Sequence, residues 1–223
     1  MKPRERVFAA LHHQQPDRVP RFEIWIDALF DDLEQGDPVG AYVNLGQDCV
    51  MMPTLNLPGS NAWRNGVDEW GRVWQNGMFA DGVVENDADL ERYSPPLAYV
   101  EQLWDCEQVR RIRRVYPDHC LIYGTHIGPF TAGFMAMGFE RFFFRLLDDP
   151  AFVHRLLEAR TRWCIAMFQK AVDLGAEILV LGDDAAHAAG PMISPRMWRE
   201  LILPYHKRIV SAFDVPVIWH SDG

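Results

Sequence analysis

The sequence lacks the features that mark several large classes of protein. It has 4 cysteines in 223 residues, and no two form a Cys-x-x-Cys pair, which excludes a disulfide scaffold and a closed Cys-rich zinc site. No apolar run approaches the roughly 18 residues that a membrane helix needs. Lys and Arg total 22 against 31 Asp and Glu, so the formal net charge of −9 argues against a general nucleic-acid or anionic-membrane binder.

Two kinds of sequence signal are also missing. Neither of the glycine-rich nucleotide-binding patterns, GxGxxG and GxxxxGK[ST], is present. The first six residues are charged and precede only a short apolar patch, so they do not resemble a secretory signal. With 48% hydrophobic and 24% charged residues, the composition is that of a globular protein. Because the sequence shows neither a secretory signal nor a membrane segment, we expect the protein to be cytoplasmic.

Short apolar runs alternate with helical patterns along the chain, which predicts an α/β fold. A strong helix signal begins at Asp149-Pro150 and ends at Gly175, and a second begins at Ser194-Pro195 with an expected kink at Pro204. Such alternation fits either a barrel or a doubly wound sheet. The predicted strands cover residues 19–26, 120–124, 177–182 and 215–220.

The long stretch between the first two predicted strands is acidic. Residues 22–108 contain 3 basic and 17 acidic side chains together with many turn-forming residues. We interpret residues 27–118 as an acidic insertion rather than as a separate domain. Within it, Asn76-Gly77 lies between Trp70, Arg72 and Trp74 on one side and Met78-Phe79 on the other, which predicts a β-hairpin.

Polar residues collect directly after the predicted strands, where α/β enzymes place their chemistry. We therefore expect them to share one edge of the sheet. The candidates are Trp25 and Asp27, His126, Asp183 and Asp184, and Trp219, His220 and Asp222.

Several of these candidates have a structural alternative. His220 and Asp222 alternate at a strand end and could bind a divalent metal, but they could equally be a hydrogen-bonded histidine beside a loop aspartate. Because Asp183 and Asp184 are adjacent, only one should face the site, and the other should face a helix N-terminus or solvent. His126 is either a polar contact at the site or an ordinary loop histidine.

Several motifs, in chain order, resemble those of the uroporphyrinogen decarboxylase superfamily. Together they are specific for the superfamily but for no single activity within it. The motifs are Arg4-Glu-Arg6-Val-Phe-Ala-Ala-Leu11 with Pro16-Asp-Arg-Val-Pro20, Val67-Asp-Glu-Trp-Gly71 with Trp74, Gly128-Pro-Phe-Thr131, Gly182-Asp-Asp184, Ile193-Ser-Pro195 and His220-Ser-Asp-Gly223.

The resemblance implies a (β/α)8 TIM barrel. Such barrels take about 250 residues, whereas the four predicted strands here are used up by residue 223. We therefore expect residues 1–223 to be a single barrel domain, incomplete at its C-terminus, with about the first four β/α units present.

The superfamily includes two chemistries. The resemblance to its decarboxylases implies arginines directly after the first strand, which would bind a substrate with many carboxylates. This sequence has acidic residues there, including Asp27, and they would repel such a substrate. The resemblance to its methyltransferases implies a zinc ion that is held by a His-x-Cys motif at the fourth strand and by a later cysteine, and that activates a thiol as thiolate. His220 matches the histidine of that motif, and Asp222 stands in place of the cysteine, which makes the site harder.

The resemblance thus favours an enzyme that transfers a methyl group between a small methylated substrate and a corrinoid protein or a thiol. His220 and Asp222 would hold a divalent metal, zinc in the first instance, and Asp183 or Asp184 would act as acid, base or further ligand. Trp25, Asp27, His126 and Trp219 would contact the substrate. The alternatives are uroporphyrinogen decarboxylation in tetrapyrrole biosynthesis and a non-catalytic protein that binds a corrinoid or a small ligand.

Overall fold

The computed structural model describes residues 1–23, 38–54, 65–125 and 127–222. Its central element is a parallel sheet of four strands. These strands are β1 (Cys49–Met51), β5 (Cys120–Thr125), β6 (Ile178–Gly182) and β9 (Val217–His220).

The helices and the smaller strands surround or extend this sheet. A 3₁₀ helix spans Leu97–Leu103 and a π-helical turn spans Trp198–Ile202. The α-helices are α1 (Pro3–Leu11), α2 (Pro38–Asn44), α3 (Asp87–Arg92), α4 (Cys106–Val115), α5 (Pro129–Met137), α6 (Phe139–Asp148), α7 (Pro150–Asp173), α8 (Pro195–Met197) and α9 (Leu203–Val210). The remaining strands are β2 (Gly66–Val67), β3 (Arg72–Gln75), β4 (Met78–Gly82), β7 (Ala186–His187) and β8 (Gly190–Pro191).

The order of the strands distinguishes between the two architectures that the sequence left open. In the sheet, β1, β5, β6 and β9 are neighbours in the same order as in the chain, and every pair is parallel. In a doubly wound sheet the order in which strands are added reverses at a switch point, whereas in a barrel each strand is added beside the preceding one. The described part of the sheet therefore has the progression of a (β/α)8 barrel.

The two faces of the sheet pack against different partners, as strand alternation requires. Leu121, Leu179 and Leu181 lie on the face that packs against α4, α7 and α9. Cys120, Ile122 and Val180 lie on the opposite face, where Val7 of α1 joins them. With these long helices all on one face, the opposite face corresponds to the interior of a barrel.

The strand β1 lies within residues 27–118, the stretch interpreted above as an acidic insertion between the first two predicted strands. Cys49, Val50 and Met51 pair in parallel with β5, so part of this acidic stretch belongs to the sheet itself. The strand is only three residues long and is followed by Pro53, so its signal was hidden by the surrounding turn formers and charges. The predicted strand at residues 19–26 is not a strand over 19–23, and residues 24–26 lie outside the described residues.

The predicted hairpin is confirmed. β3 and β4 pair antiparallel, and Gln75 faces Met78 across the two-residue turn Asn76-Gly77. Both turn residues have positive φ, 50° and 77°, as the tight turn that matches the twist of a hairpin requires.

The two predicted helix starts are also confirmed. Asp149 accepts a hydrogen bond from the Phe152 amide at the start of α7, and this helix ends just before Gly175, whose φ is +99°. Ser194 caps α8 in the same way. The α-helical pattern then changes to the π turn just before Pro204, which cannot donate a backbone hydrogen bond.

A buried ion network joins the start of the chain to the amino end of β1. The Asp48 side chain is fully buried and receives hydrogen bonds from Arg6 Nη1 at 2.5 Å and from Arg18 Nη1 at 2.9 Å. Arg6 also bonds Asp17, and this bond is the main reason that the pKa of Asp17 lies well below its usual range. This network fixes α1 against the end of the sheet opposite to the site described below.

Candidate functional site

The carboxyl ends of β6 and β9 bring the candidate residues together. His220 at the end of β9 pairs in register with Gly182 at the end of β6, so the residues that follow both strands are neighbours. Asp184 comes two residues after Gly182, and Asp222 two residues after His220.

Three of these side chains form a cluster of metal-ligand type. One donor atom from each of Asp184, His220 and Asp222 lies within 4.8 Å of the other two. His220 Nε2 lies 3.4 Å from Asp222 Oδ1, and the Asp222 amide donates to Asp184 Oδ1 at 3.0 Å. The His220 and Asp222 side chains are 52% and 82% exposed, so the cluster is open to solvent on this side.

The donor set is compatible with a divalent metal. Bonds of about 2.0–2.2 Å place two ligands of one ion about 3 to 3.5 Å apart, and the distance between His220 Nε2 and Asp222 Oδ1 already lies in this range. One imidazole nitrogen and two carboxylate oxygens suit a borderline or hard cation, such as zinc or manganese.

Asp183 and Asp184 point to different surroundings. The Asp183 side chain is fully buried and caps α5, where it accepts hydrogen bonds from the Phe130 and Thr131 amides at 3.1 and 2.7 Å. Asp184 turns toward His220 and Asp222. One aspartate thus lies at a helix N-terminus and the other at the site, the division that their adjacency predicted without saying which was which.

Trp219 lies on the helix side of the sheet. Its indole nitrogen donates to the Asp183 carbonyl at 3.0 Å, and its ring stacks on Trp198 and meets the His206 ring edge-on. Strand alternation puts Trp219 and His220 on opposite faces. The Trp219 ring thus lies on the opposite face of the sheet from the His220 side chain, in contact with Trp198 and His206.

Three residues predicted to contact the substrate, Trp25, Asp27 and His126, lie outside the described residues.

The sequence interpretation did not identify a histidine that contacts Asp183. His206 of α9 is buried, and its Nε2 lies 2.7 Å from Asp183 Oδ2. The available signal was a histidine beside the apolar stripe of α9, between Tyr205 and Ile209.

The described cysteines stand apart from this cluster. Cys49, Cys120 and Cys164 are buried and Cys106 is half-buried, all as free thiols. A hydrogen bond with Cys49, together with burial, raises the pKa of Cys120 far above its usual value, and burial does the same to Cys164. The thiols of Cys120 and Cys164 are therefore held in their neutral form, the state of a packing residue rather than of a nucleophile or a metal ligand.

The sequence is similar to one protein family and to two characterised methyltransferases. Residues 76–223 match the family model of uroporphyrinogen decarboxylase (URO-D). The chain is 29% identical over 115 residues to a methylated-thiol–coenzyme M methyltransferase of Methanosarcina mazei, an alignment that covers 52% of this chain and 31% of that protein. It is 26% identical over 245 residues to the methylcobamide:CoM methyltransferase MtbA of Methanosarcina acetivorans, covering 99% of this chain and 70% of that protein.

A solved structure shares the fold. A methyltransferase from Methanosarcina mazei superposes with a TM-score of 0.74 at 21% identity, over 100% of this chain and 70% of that one. The match to the first of the two sequence relatives spans less than a third of that protein's length. Within the described residues, no helix is both long and apolar enough to cross a membrane.

Proposed function

This chain belongs to the uroporphyrinogen decarboxylase (URO-D) family, and from that premise we propose that it is part of a metal-dependent methyltransferase. The proposed reaction moves a methyl group between a small methylated substrate and a corrinoid protein or a thiol. The observation that carries the proposal is the cluster of Asp184, His220 and Asp222 at the ends of adjacent strands. Support comes from the two relatives, whose names describe methyl transfer to coenzyme M.

The residues of the cluster have distinct tasks in this proposal. His220 would offer Nε2 to the metal, and Asp184 and Asp222 would each offer a carboxylate oxygen. A divalent metal bound there supplies a Lewis acid that favours the thiolate form of a thiol acceptor. Because the His220 and Asp222 side chains are half to mostly exposed, a substrate can approach from the solvent side of the cluster.

The direct test is a metal titration of the purified chain by calorimetry, with Zn²⁺, Co²⁺ and Mn²⁺. We expect one bound ion per chain in the wild type, and affinity at least tenfold lower in Asp184→Asn, His220→Ala and Asp222→Asn. Asp214→Asn is the matched control, because Asp214 is an exposed carboxylate just before the other end of β9. A wild type that binds no ion, or cluster variants that bind as tightly as the control, would overturn the metal assignment.

A second assay tests the chemistry. Methylcobalamin and 2-mercaptoethanesulfonate are supplied to the metal-loaded chain, and demethylation of the cobalamin is followed by its visible spectrum. We expect turnover that a chelator abolishes and that His220→Ala lacks. Turnover of uroporphyrinogen that persists with a chelator would instead support a decarboxylase. Binding of a corrinoid without turnover of either substrate would support a binding protein.

A further inference from the structure

Asp183 is the point where three elements meet beneath the cluster. Its buried carboxylate accepts hydrogen bonds from the Phe130 and Thr131 amides of α5, and its Oδ2 also lies 2.7 Å from His206 Nε2 of α9. Since a carboxylate only accepts hydrogen bonds, His206 serves as the donor. Oδ1 is thus held by α5, and Oδ2 is held by both α5 and α9.

The main chain of Asp183 is bound just as closely to β9. Its amide donates to the His220 carbonyl at 2.9 Å, and its carbonyl accepts from Trp219 Nε1 at 3.0 Å. The next amide, that of Asp184, donates to Thr131 Oγ1 at 2.8 Å. A displacement of Asp183 would therefore move Asp184 and His220, two of the three cluster residues.

The space around Asp183 leaves little room for a different arrangement. A Cβ atom on Gly128 would lie 2.5 Å from both Cβ and Cγ of Asp183, closer than van der Waals contact allows. The Gly128 amide in turn donates to the Gly182 carbonyl at 2.5 Å. The loop before α5 is thus in close contact with the end of β6.

The His206 ring is held in one orientation by two tryptophans. Trp198 and Trp219 meet it edge-on, with ring centroids at 5.1 and 5.5 Å and interplanar angles of 86° and 82°. These two indoles stack on each other at 5.6 Å. The aromatic contacts direct Nε2 at Asp183 and leave the imidazole of this buried histidine few other rotamers.

We propose that His206 is a positioning residue for the metal cluster, acting through Asp183 to fix where Asp184 and His220 lie. This inference rests on the proposed function in so far as it concerns a metal. Residues that orient metal ligands typically change affinity by about 10- to 100-fold when they are replaced. We expect an effect in that range here.

The test compares two replacements of His206 with a control replacement of a different residue that also forms a hydrogen bond with α9. His206→Phe keeps an aromatic ring between the tryptophans but removes the donor, whereas His206→Gln keeps a donor near the position of Nε2. His154→Phe is the matched control, because His154 Nδ1 makes a 2.7 Å hydrogen bond to Tyr205 of α9 that does not involve Asp183. Co²⁺ affinity, the Co²⁺ d–d absorption spectrum and the melting temperature are measured for each protein.

We expect His206→Phe to bind Co²⁺ about 10- to 100-fold more weakly and with an altered spectrum. His206→Gln should stay within about threefold of the wild type, and His154→Phe should lower the melting temperature while leaving affinity and spectrum unchanged. The inference is wrong if His206→Phe binds like the wild type, if both His206 variants lose affinity equally, or if His154→Phe weakens binding as much.

Hydrogen exchange in the metal-free protein separates this inference from the proposed function. The amides of Asp183 and Asp184 should exchange faster in His206→Phe than in the wild type and His206→Gln. A wild type that binds no Co²⁺ would overturn the proposed function alone, because the exchange rates still decide whether His206 positions this segment. Equal exchange rates in all four proteins would overturn the inference.

Discussion

Two buried threonines should respond differently to the same substitution, Thr→Val. Thr131, at the start of α5, is 4% exposed, and its Oγ1 accepts the Asp184 amide at 2.8 Å. Thr161, in α7, is fully buried, and its Oγ1 has no hydrogen-bond partner in the part of the chain that the structure describes. Valine nearly preserves the shape of threonine, so each variant isolates the hydroxyl group.

The magnitudes follow from the cost of an unpaired polar group. Thr131→Val leaves the Asp184 amide without its acceptor, which should lower the free energy of unfolding by about 1–3 kcal/mol. Thr161→Val removes a hydroxyl that is already buried without a partner, so the free energy of unfolding should stay constant or rise by about 1 kcal/mol. The two variants should therefore differ by about 1–4 kcal/mol in their free energy of unfolding.

Urea unfolding followed by tryptophan fluorescence measures this difference. With an m-value of about 3 kcal/mol/M, a gap of about 2 kcal/mol separates the two midpoints by roughly 0.7 M. Thr131→Val should also bind Co²⁺ more weakly, because Asp184 loses one of its anchors, whereas Thr161→Val should not. Equal shifts of both midpoints in the same direction would show that the Thr131 hydroxyl does not hold Asp184 in place.

Two further predictions concern the metal preference and the ion network. Asp222→Cys introduces a thiolate donor beside His220, so affinity for Zn²⁺ should rise relative to Mn²⁺ in competition titrations; a preference equal to that of Asp214→Cys would contradict the assigned ligand. The hydrogen bond from Arg6 lowers the pKa of Asp17, so Asp17 stabilises the fold above its unfolded-state pKa near 4 and loses this effect as the pH falls through its lower folded-state pKa. Asp17→Asn should therefore be less stable than the wild type at pH 7 in thermal unfolding, and the gap should close below about pH 4; a gap independent of pH would refute this.

Local signals in the sequence were sufficient for some elements. The Asn76-Gly77 turn between alternating residues and the Asp149-Pro150 start of α7 each depend on nearby residues, and both predictions are confirmed. The strand β1 has no such local signal, because three residues are too few to show periodicity. Its place in the sheet is set by pairing with β5, about 70 residues later in the chain.

The arrangement of the site likewise depends on contacts between distant residues, which local sequence signals do not predict. Adjacency alone predicts that Asp183 and Asp184 diverge, but only the position of the α5 N-terminus decides that Asp183 is the buried one. The alternation of β9 would have separated Trp219 from His220, had it been applied to both residues. The pairing of His206 with Asp183 joins residues from α9 and the end of β6, and no spacing in the sequence encodes that contact.

Two residues of the cluster, Asp184 and His220, are tied by hydrogen bonds into the network around Asp183, whereas the Asp222 side chain can change without disturbing that network. Asp184 and His220 are held by the network around Asp183, so a change in that network disturbs the fold as well as the site. The Asp222 side chain is 82% exposed, and the bond from this residue to Asp184 uses its backbone amide. A different side chain at 222 therefore alters the chemistry of the donor set while the supporting hydrogen bonds remain.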